Sequence, residues 1–372
     1  MIKLSNVTKR FEGAKAAVVD GIDLEVPAGE ICVLLGPSGC GKTTTLKMIN
    51  RLIQPSAGSI YIDGKNTDDF DVVELRRHIG YVIQQIGLFP NMTIEDNLCV
   101  VPKLLGWSRK KARQRAAELL DIVALDPSVY LSRYPKDLSG GQQQRVGVAR
   151  ALATDPPVML MDEPFGAIDP INRASIQDEF LRIQQQVKKT IVFVSHDIDE
   201  AIKMADKVAI FRSGRLEQVG TPNEILARPA STFIADFVGS DRALKRLRLS
   251  LASSVVSAKE CAVHAGESSA RAAALMEAHG MQEIVLLDPA GRPQCLLTAK
   301  ELDHTGGMPS TTHTRPAVSL AKQADDLRTV VSVMFASGHS CLPTVDDDGR
   351  FIGYVRQADI VDLLQMSGEA TI

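Results

Sequence analysis

Short apolar runs that stop abruptly at glycine or acidic residues punctuate the first two thirds of the chain. "ICVLL" (31–35) breaks into "GPSGCGKT" and then into a stretch with Leu46, Ile49 and Leu52 at helical spacing. "VMLM" (158–161) ends in Asp162 and Glu163, and "TIVFV" (190–194) ends in Ser195, His196 and Asp197. Short runs that are apolar throughout predict strands buried on both faces of a mainly parallel sheet. Between them, "RKKARQRAAELLDIVAL" and "FLRIQQQVKK" carry helical patterns. The pattern therefore predicts an α/β core with a helical insertion at roughly residues 85–155.

After about Gly239 the texture changes. "SDRALKRLRLSL" is basic and amphipathic, and an internal repeat follows without gaps. Gly280, Asp288, Gly291 and Arg292 align at a constant offset with Gly338, Asp346, Gly349 and Arg350. Each copy predicts a helix, a strand, a D-x-x-G-R turn, a second strand and a short helix, and two copies suit one compact module better than a solenoid. The boundaries expected are 1–239 for the first domain, 240–252 for a basic linker, 253–307 for the first copy and 308–366 for the second.

Composition narrows the possible partners. A net charge of −3 gives no basic field for nucleic acid or anionic lipid, so membrane association is expected to come through a protein. No apolar stretch reaches the roughly 18 residues that span a bilayer, and the start "MIKLSNVTKRF" lacks the apolar core of a signal peptide. The expected place is the cytoplasm. The six cysteines have no C-x-x-C spacing, which favours buried reduced thiols over a metal site.

"GPSGCGKT", Gly36 to Thr43, fits G-x-x-x-x-G-K-[ST] between a predicted strand and a predicted helix. Glycine at 36, 39 and 41 lets backbone amides converge on phosphates, and the helix start adds positive potential. Pro37, Ser38, Cys40 and Thr44 complete the phosphate-binding stretch; Lys42 is expected to reach the β- and γ-phosphates and Thr43 to ligate Mg²⁺. Asp162, delivered by its strand to the carboxyl edge of the sheet, is expected to hold Mg²⁺ through water, and Glu163 to polarise the attacking water. His196 is expected to hydrogen-bond the γ-phosphate from two strand ends away from Lys42 and one from Glu163. Gln84 leaves a strand-like run with an amide able to reach metal and water, and Gln85 competes for that role.

The order "GPSGCGKT", "VIQQIGLFP", "LSGGQQQRV", "VMLMDEP", "GAID", "SHD" resembles the ATPase subunit of ABC transporters over about residues 1–238. The resemblance implies a P-loop NTPase fold and a head-to-tail homodimer. In it Ser139, Gly140, Gly141 and Gln142 cap the ATP bound by the neighbouring subunit, Phe11 stacks on adenine and Asp169 communicates between sites. A helix beginning at Ser139 fits that role, since its amides and dipole favour an anion. For "QIGLFPNMTIEDNL" two readings stay open: a surface with Ile86, Leu88, Phe89 and Met92 that receives a permease helix, or a loop packed on its own domain.

The repeat resembles a pair of α+β CBS domains over about residues 250–365. In adenosine-binding CBS units the motif G-h-h-[TS]-x-x-D supplies hydroxyl and carboxylate together. Here Thr298 is followed by Glu301, whereas Asp359 is preceded by Arg356. That split argues against a standard adenine-nucleotide site and leaves Arg356 for an anion or a salt bridge; a purely structural dimerisation module is the other reading. An ATPase without fused spans resembles the separate subunit of an importer. With paired CBS units it resembles the osmoprotectant class that handles glycine betaine, carnitine or choline. The implied partners are multispan permease subunits at the cytoplasmic face of the membrane and, indirectly, an extracytoplasmic binding protein. The alternatives are an importer of another small polar metabolite and a soluble regulatory ABC ATPase.

Overall fold

In chain order the first strands are β1 (Ile2–Lys9), β2 (Val19–Val26), β3 (Ile31–Leu35), β4 (Ala57–Ile62), β5 (Lys65–Asn66), β6 (Ile79–Val82), β7 (Val158–Asp162), β8 (Thr190–Val194), β9 (Lys207–Arg212) and β10 (Arg215–Gly220). They form two sheets, ordered β2-β1-β4-β5 and β10-β9-β3-β8-β7-β6. β6, β7, β8, β3 and β9 run parallel, and every residue of β3, β7 and β8 is buried. The computed structural model describes residues 1–83, 87–166, 168, 170–264, 266–303 and 319–366. It divides into one unit of Met1–Ile225 with Pro229–Gly239 and another of Leu226–Arg228 with the chain from Ser240 onward.

The helices of the first unit begin with α1 (Lys42–Ile49), which opens from the glycine-rich turn after β3. Leu46 and Ile49 are buried as their spacing predicts, but the helix stops at Ile49 and leaves Leu52 exposed. Arg51 takes a left-handed φ of 48° just beyond, so the chain turns before Leu52 can join the apolar face. α2 (Val72–Arg77) precedes β6. Between β6 and β7 lie α3 (Ile94–Leu104), α4 (Arg109–Ile122), α5 (Pro127–Tyr130) and α6 (Gly140–Ala151), which form the helical insertion. α7 (Pro170–Val187) and α8 (Ile198–Met204) flank β8 in sequence. Behind the carboxyl edge, Phe165 packs edge-on against Phe180 of α7 and Phe193 of β8, with centroids 5.9 and 6.3 Å away. This apolar stack anchors the turn that follows Glu163.

α9 (Pro222–Ala227), α10 (Thr232–Val238) and α11 (Arg242–Arg246) follow β10 along the chain. The repeat then appears as two sheets of one topology. The first holds β11 (Ala262–His264), β12 (Glu283–Leu287) and β13 (Pro293–Thr298), with α12 (Ser269–His279) and α13 (Ala299–Asp303). The second holds β14 (Ala321–Lys322), β15 (Cys341–Val345) and β16 (Phe351–Arg356), with α14 (Leu327–Ser337) and α15 (Gln357–Met366). In each D-x-x-G-R turn one aspartate Oδ1 accepts two backbone amides: Ala290 and Arg292 on Asp288, Asp348 and Arg350 on Asp346. Cys341 and Tyr354 of the second copy lie in the first copy's core, where the Tyr354 hydroxyl accepts from the Val285 amide at 2.7 Å.

Candidate nucleotide site

The phosphate loop is closed to side chains where it must be narrow. A Cβ on Gly36, at φ 140°, would sit 2.2 Å from the Phe211 carbonyl, so only glycine fits. Lys42 curls over the loop, its ammonium donating to the carbonyls of Gly36 (2.7 Å) and Pro37 (2.9 Å). Pro37, Ser38 and Gly39 are exposed, Gly41 is buried, and Thr43 and Thr44 are half-buried.

Asp162 ends β7 and accepts from the Thr43 hydroxyl at 3.0 Å. Burial pushes its carboxyl above the usual carboxylate range, opposed by the Thr43 hydrogen bond and by Lys47. Glu163 follows with a left-handed φ of 47°, a strained conformation of the kind that clusters at working sites. Its amide donates to the Val194 carbonyl (3.1 Å), and the Ser195 amide donates to Leu34 (3.1 Å), so backbone bonds lace three strand ends together. His196 Nδ1 lies 3.7 Å from Glu163 Oε1. The expectation that His196 stands two strand ends from Lys42 is corrected here. β8 lies between β3 and β7, pairing Leu34 with Val194 and Asp162 with Val194, so His196 follows the strand next to both. A run of apolar residues carries no information on strand order, which is why its neighbours were not readable.

Ser139 caps α6: its Oγ accepts from the Gln142 amide (3.3 Å), and Gln142 Oε1 accepts from the Ser139 amide (3.0 Å). Gln142 Nε2 donates to the Tyr130 hydroxyl at 2.9 Å. A Cβ on Gly141 would lie 2.8 Å from Ile176 Cδ1, which marks close approach of α6 to α7. A groove of about 370 Å³ is lined by Ser139 to Gln142 with Tyr130 and Ile176. Phe11 is 43% exposed, with the Lys9 ammonium 5.1 Å over its ring. Gln84, Gln85, Ile86 and Asp169 lie outside the described residues.

Sequence reasoning missed the residues that hold these groups. Asn97, buried in α3, accepts from the Phe89 amide and donates to the carbonyls of Phe89, Met92 and Thr93. It clamps the loop backbone while Phe89 and Met92 stay exposed. Tyr130, Gln177 and Glu200 were missed too; a polar residue inside an apolar helix face is the only signal the last two carry.

All six cysteines are buried free thiols. Cys40 Sγ is 3.7 Å from Lys42 Nζ, inside the phosphate loop. Thiol alkylation should therefore inhibit turnover and ATP should protect; equal inhibition of Cys40→Ala would show that another thiol is responsible.

In the repeat, the split motif elements are satisfied internally. Thr298 Oγ1 donates to Glu301 Oε2 at 2.8 Å. Asp359 accepts from Arg356 Nε (2.9 Å) and the Ser257 hydroxyl (2.6 Å). Burial raises the Asp359 pKa, but these hydrogen bonds outweigh it and hold the carboxyl below its usual range. Arg356 makes the salt bridge of the two roles expected for it.

A phosphate loop beside a Thr–Asp pair and a strained acid, with a capped glycine turn on a helical insertion, defines an ATP-binding cassette. Residues 19–166 match the ABC transporter family and residues 313–365 the CBS domain. The chain is 53% identical over 369 residues to the osmoprotectant import ATP-binding protein OsmV of Salmonella typhimurium, covering 98% of this chain and 96% of the relative. It is 45% identical to the glycine betaine/carnitine/choline transport ATP-binding protein OpuCA of Bacillus subtilis, with the same coverage. Among solved structures, a dimeric post-hydrolysis ATP-binding cassette bound to ADP and Pi is 34% identical, with TM-score 0.53, over 60% of this chain and 99% of that one. CbiO1 of Clostridium perfringens, part of the cbiONQ transporter complex, gives TM-score 0.58 at 25% identity over 67% of this chain and 94% of that one. The chain belongs to the ATP-binding subunits of ABC importers of the osmoprotectant type, and it is an ATPase.

Proposed function

We propose that this chain powers uptake of quaternary-amine osmoprotectants such as glycine betaine, choline and carnitine through separate permease subunits at the cytoplasmic face of the membrane. The observation that carries the reading is end-to-end likeness to importer ATPases, with 98% of this chain covered, the C-terminal region included. Among the described residues no helix is long and apolar enough to cross a membrane. The clamped loop with exposed Phe89 and Met92 suits an apolar helix of that permease.

Within the site, Lys42 exchanges its loop carbonyls for β- and γ-phosphate oxygens, and Phe11 stacks on the base. Thr43 and Asp162 form an oxygen-donor pair, and a buried carboxylate with a raised pKa is relieved by a divalent cation; they fit Mg²⁺, with Gln84 as a further ligand. Mg²⁺ when bound neutralises phosphate charge. Glu163 accepts the proton of the attacking water and His196 donates to the γ-phosphate. Ser139 to Gln142 close on the partner subunit's ATP, and Asp169 links the two sites across the homodimer.

Radiolabelled uptake by the reconstituted complex tests the substrate class: saturable import of betaine, choline or carnitine supports it, and import of none overturns it. The CBS pair is the regulatory module. Removing residues 250–372 should preserve basal ATPase activity and alter its response to ionic strength or nucleotide; an unchanged response would make the repeat structural.

A further inference from the structure

Behind His196 lies a buried polar chain that the reaction itself does not use. Ser195, 1% exposed, donates through Oγ to Glu200 Oε2 at 2.6 Å and accepts from the Asp197 amide at 3.0 Å. Glu200, on α8 and 6% exposed, accepts on its other oxygen from Gln177 Nε2 of α7 at 3.3 Å. Gln177 is itself 5% exposed. A carboxyl group buried this deeply is costly unless its hydrogen bonds are made, and burial does push its pKa up. Both of its oxygens are engaged, one toward the strand that carries His196 and one toward α7. Two further contacts join the same helices: Arg173 Nη1 lies 3.6 Å from Asp197 Oδ2, and Lys203 Nζ lies 2.6 Å from Asp178 Oδ1. Beside Gln177, Ile176 is the residue on which Gly141 rests; Gly141 lies in the L-S-G-G-Q turn of residues 138–142, the signature turn.

We propose that Glu200 is a positioning residue for His196, and that Gln177 and Glu200 form a buried relay fixing the His196 strand end to α7, the helix that also seats the signature turn. Ser195 is the joint: its amide is pinned to β3 and its hydroxyl to α8, so the residue after it has little freedom. Without the carboxyl group, Ser195 and Gln177 lose their common partner and His196 leaves its place over the γ-phosphate. This rests on the reading of His196 as a γ-phosphate contact.

The test uses the full-length protein. Glu200→Ala should lower kcat about tenfold with the KM for ATP within about twofold, because misplacing a catalytic group costs turnover rather than binding. Glu200→Gln, which keeps an oxygen for Ser195, should recover to within about threefold of wild type, and Gln177→Leu should fall between the two. The second readout is NMR of protein carrying ¹³Cε1-histidine. The chain has seven histidines, and the resonance missing from His196→Gln identifies His196. That resonance should shift in Glu200→Ala and in Gln177→Leu while the other resonances stay in place. Unchanged turnover in His196→Gln would sink the catalytic reading of His196. A His196 resonance that does not move in Glu200→Ala and Gln177→Leu, or wild-type kcat in both, overturns the relay.

Discussion

Glu163→Gln is expected to lower steady-state ATP hydrolysis by about two orders of magnitude or more, a loss of roughly 2.7 kcal/mol or more in transition-state stabilisation. ATP binding should survive, and an ATP-bound dimer should accumulate that gel filtration resolves from the monomer. The geometry explains why binding and hydrolysis separate here. Glu163 is held by its own backbone, at φ 47° with its amide on Val194, and the Phe165 stack fixes the turn behind it. Exchanging a carboxylate for an amide changes none of those restraints. It removes the carboxylate proposed as the base and leaves Lys42, Thr43 and Asp162 in place. Turnover near that of wild type would assign the water-polarising role to another group.

The second large effect concerns the signature turn. Gly141→Asp should abolish hydrolysis, because the new side chain is squeezed against Ile176 and places negative charge at the helix start proposed to face the partner's phosphate. Lys42→Ala should abolish it as well, for want of the phosphate-binding ammonium. Mixed in equal amounts, the two dead variants should regain about a quarter of wild-type activity, since half of randomly assorted two-fold dimers are mixed and each holds one intact composite site. If the mixture stays inactive, Lys42 and Gly141 do not serve one nucleotide from two subunits.

Much of this site was legible because its chemistry sits at motif positions with fixed spacing. "GPSGCGKT" following a buried strand marks Lys42 and Thr43, "VMLMDEP" marks Asp162 for the same proposed Mg²⁺ site as Thr43, and the two side chains lie within a 3.0 Å hydrogen bond of each other. The repeat was legible from its constant offset, and its paired three-stranded sheets share one topology. What stayed hidden depends on contacts between elements remote in sequence. Strand order is one case: apolar runs look alike whichever neighbour they take, and His196 was placed one strand too far from Lys42. Gln177 and Glu200 are another, because a buried pair 23 residues apart leaves no periodic trace. Leu52 kept its helical spacing after the helix had ended, since a pattern of side chains does not report a backbone turn.

Tyr354 belongs by sequence to the second copy of the repeat and by packing to the first, where its hydroxyl holds the Val285 amide. The segment leading into β11 is shared in the opposite sense: Ser257 exchanges backbone hydrogen bonds with Tyr354, and Leu247 and Ala252 pack with Val330 and Leu342. Neither copy therefore encloses a core from its own residues alone, and the two should melt in a single calorimetric transition. Such interlocking keeps the duplicated halves together while side chains at matching positions diverge. Thr298 with Glu301 in one half and Arg356 with Asp359 in the other are the trace of that divergence, written on a scaffold that tolerates it because neither half stands by itself.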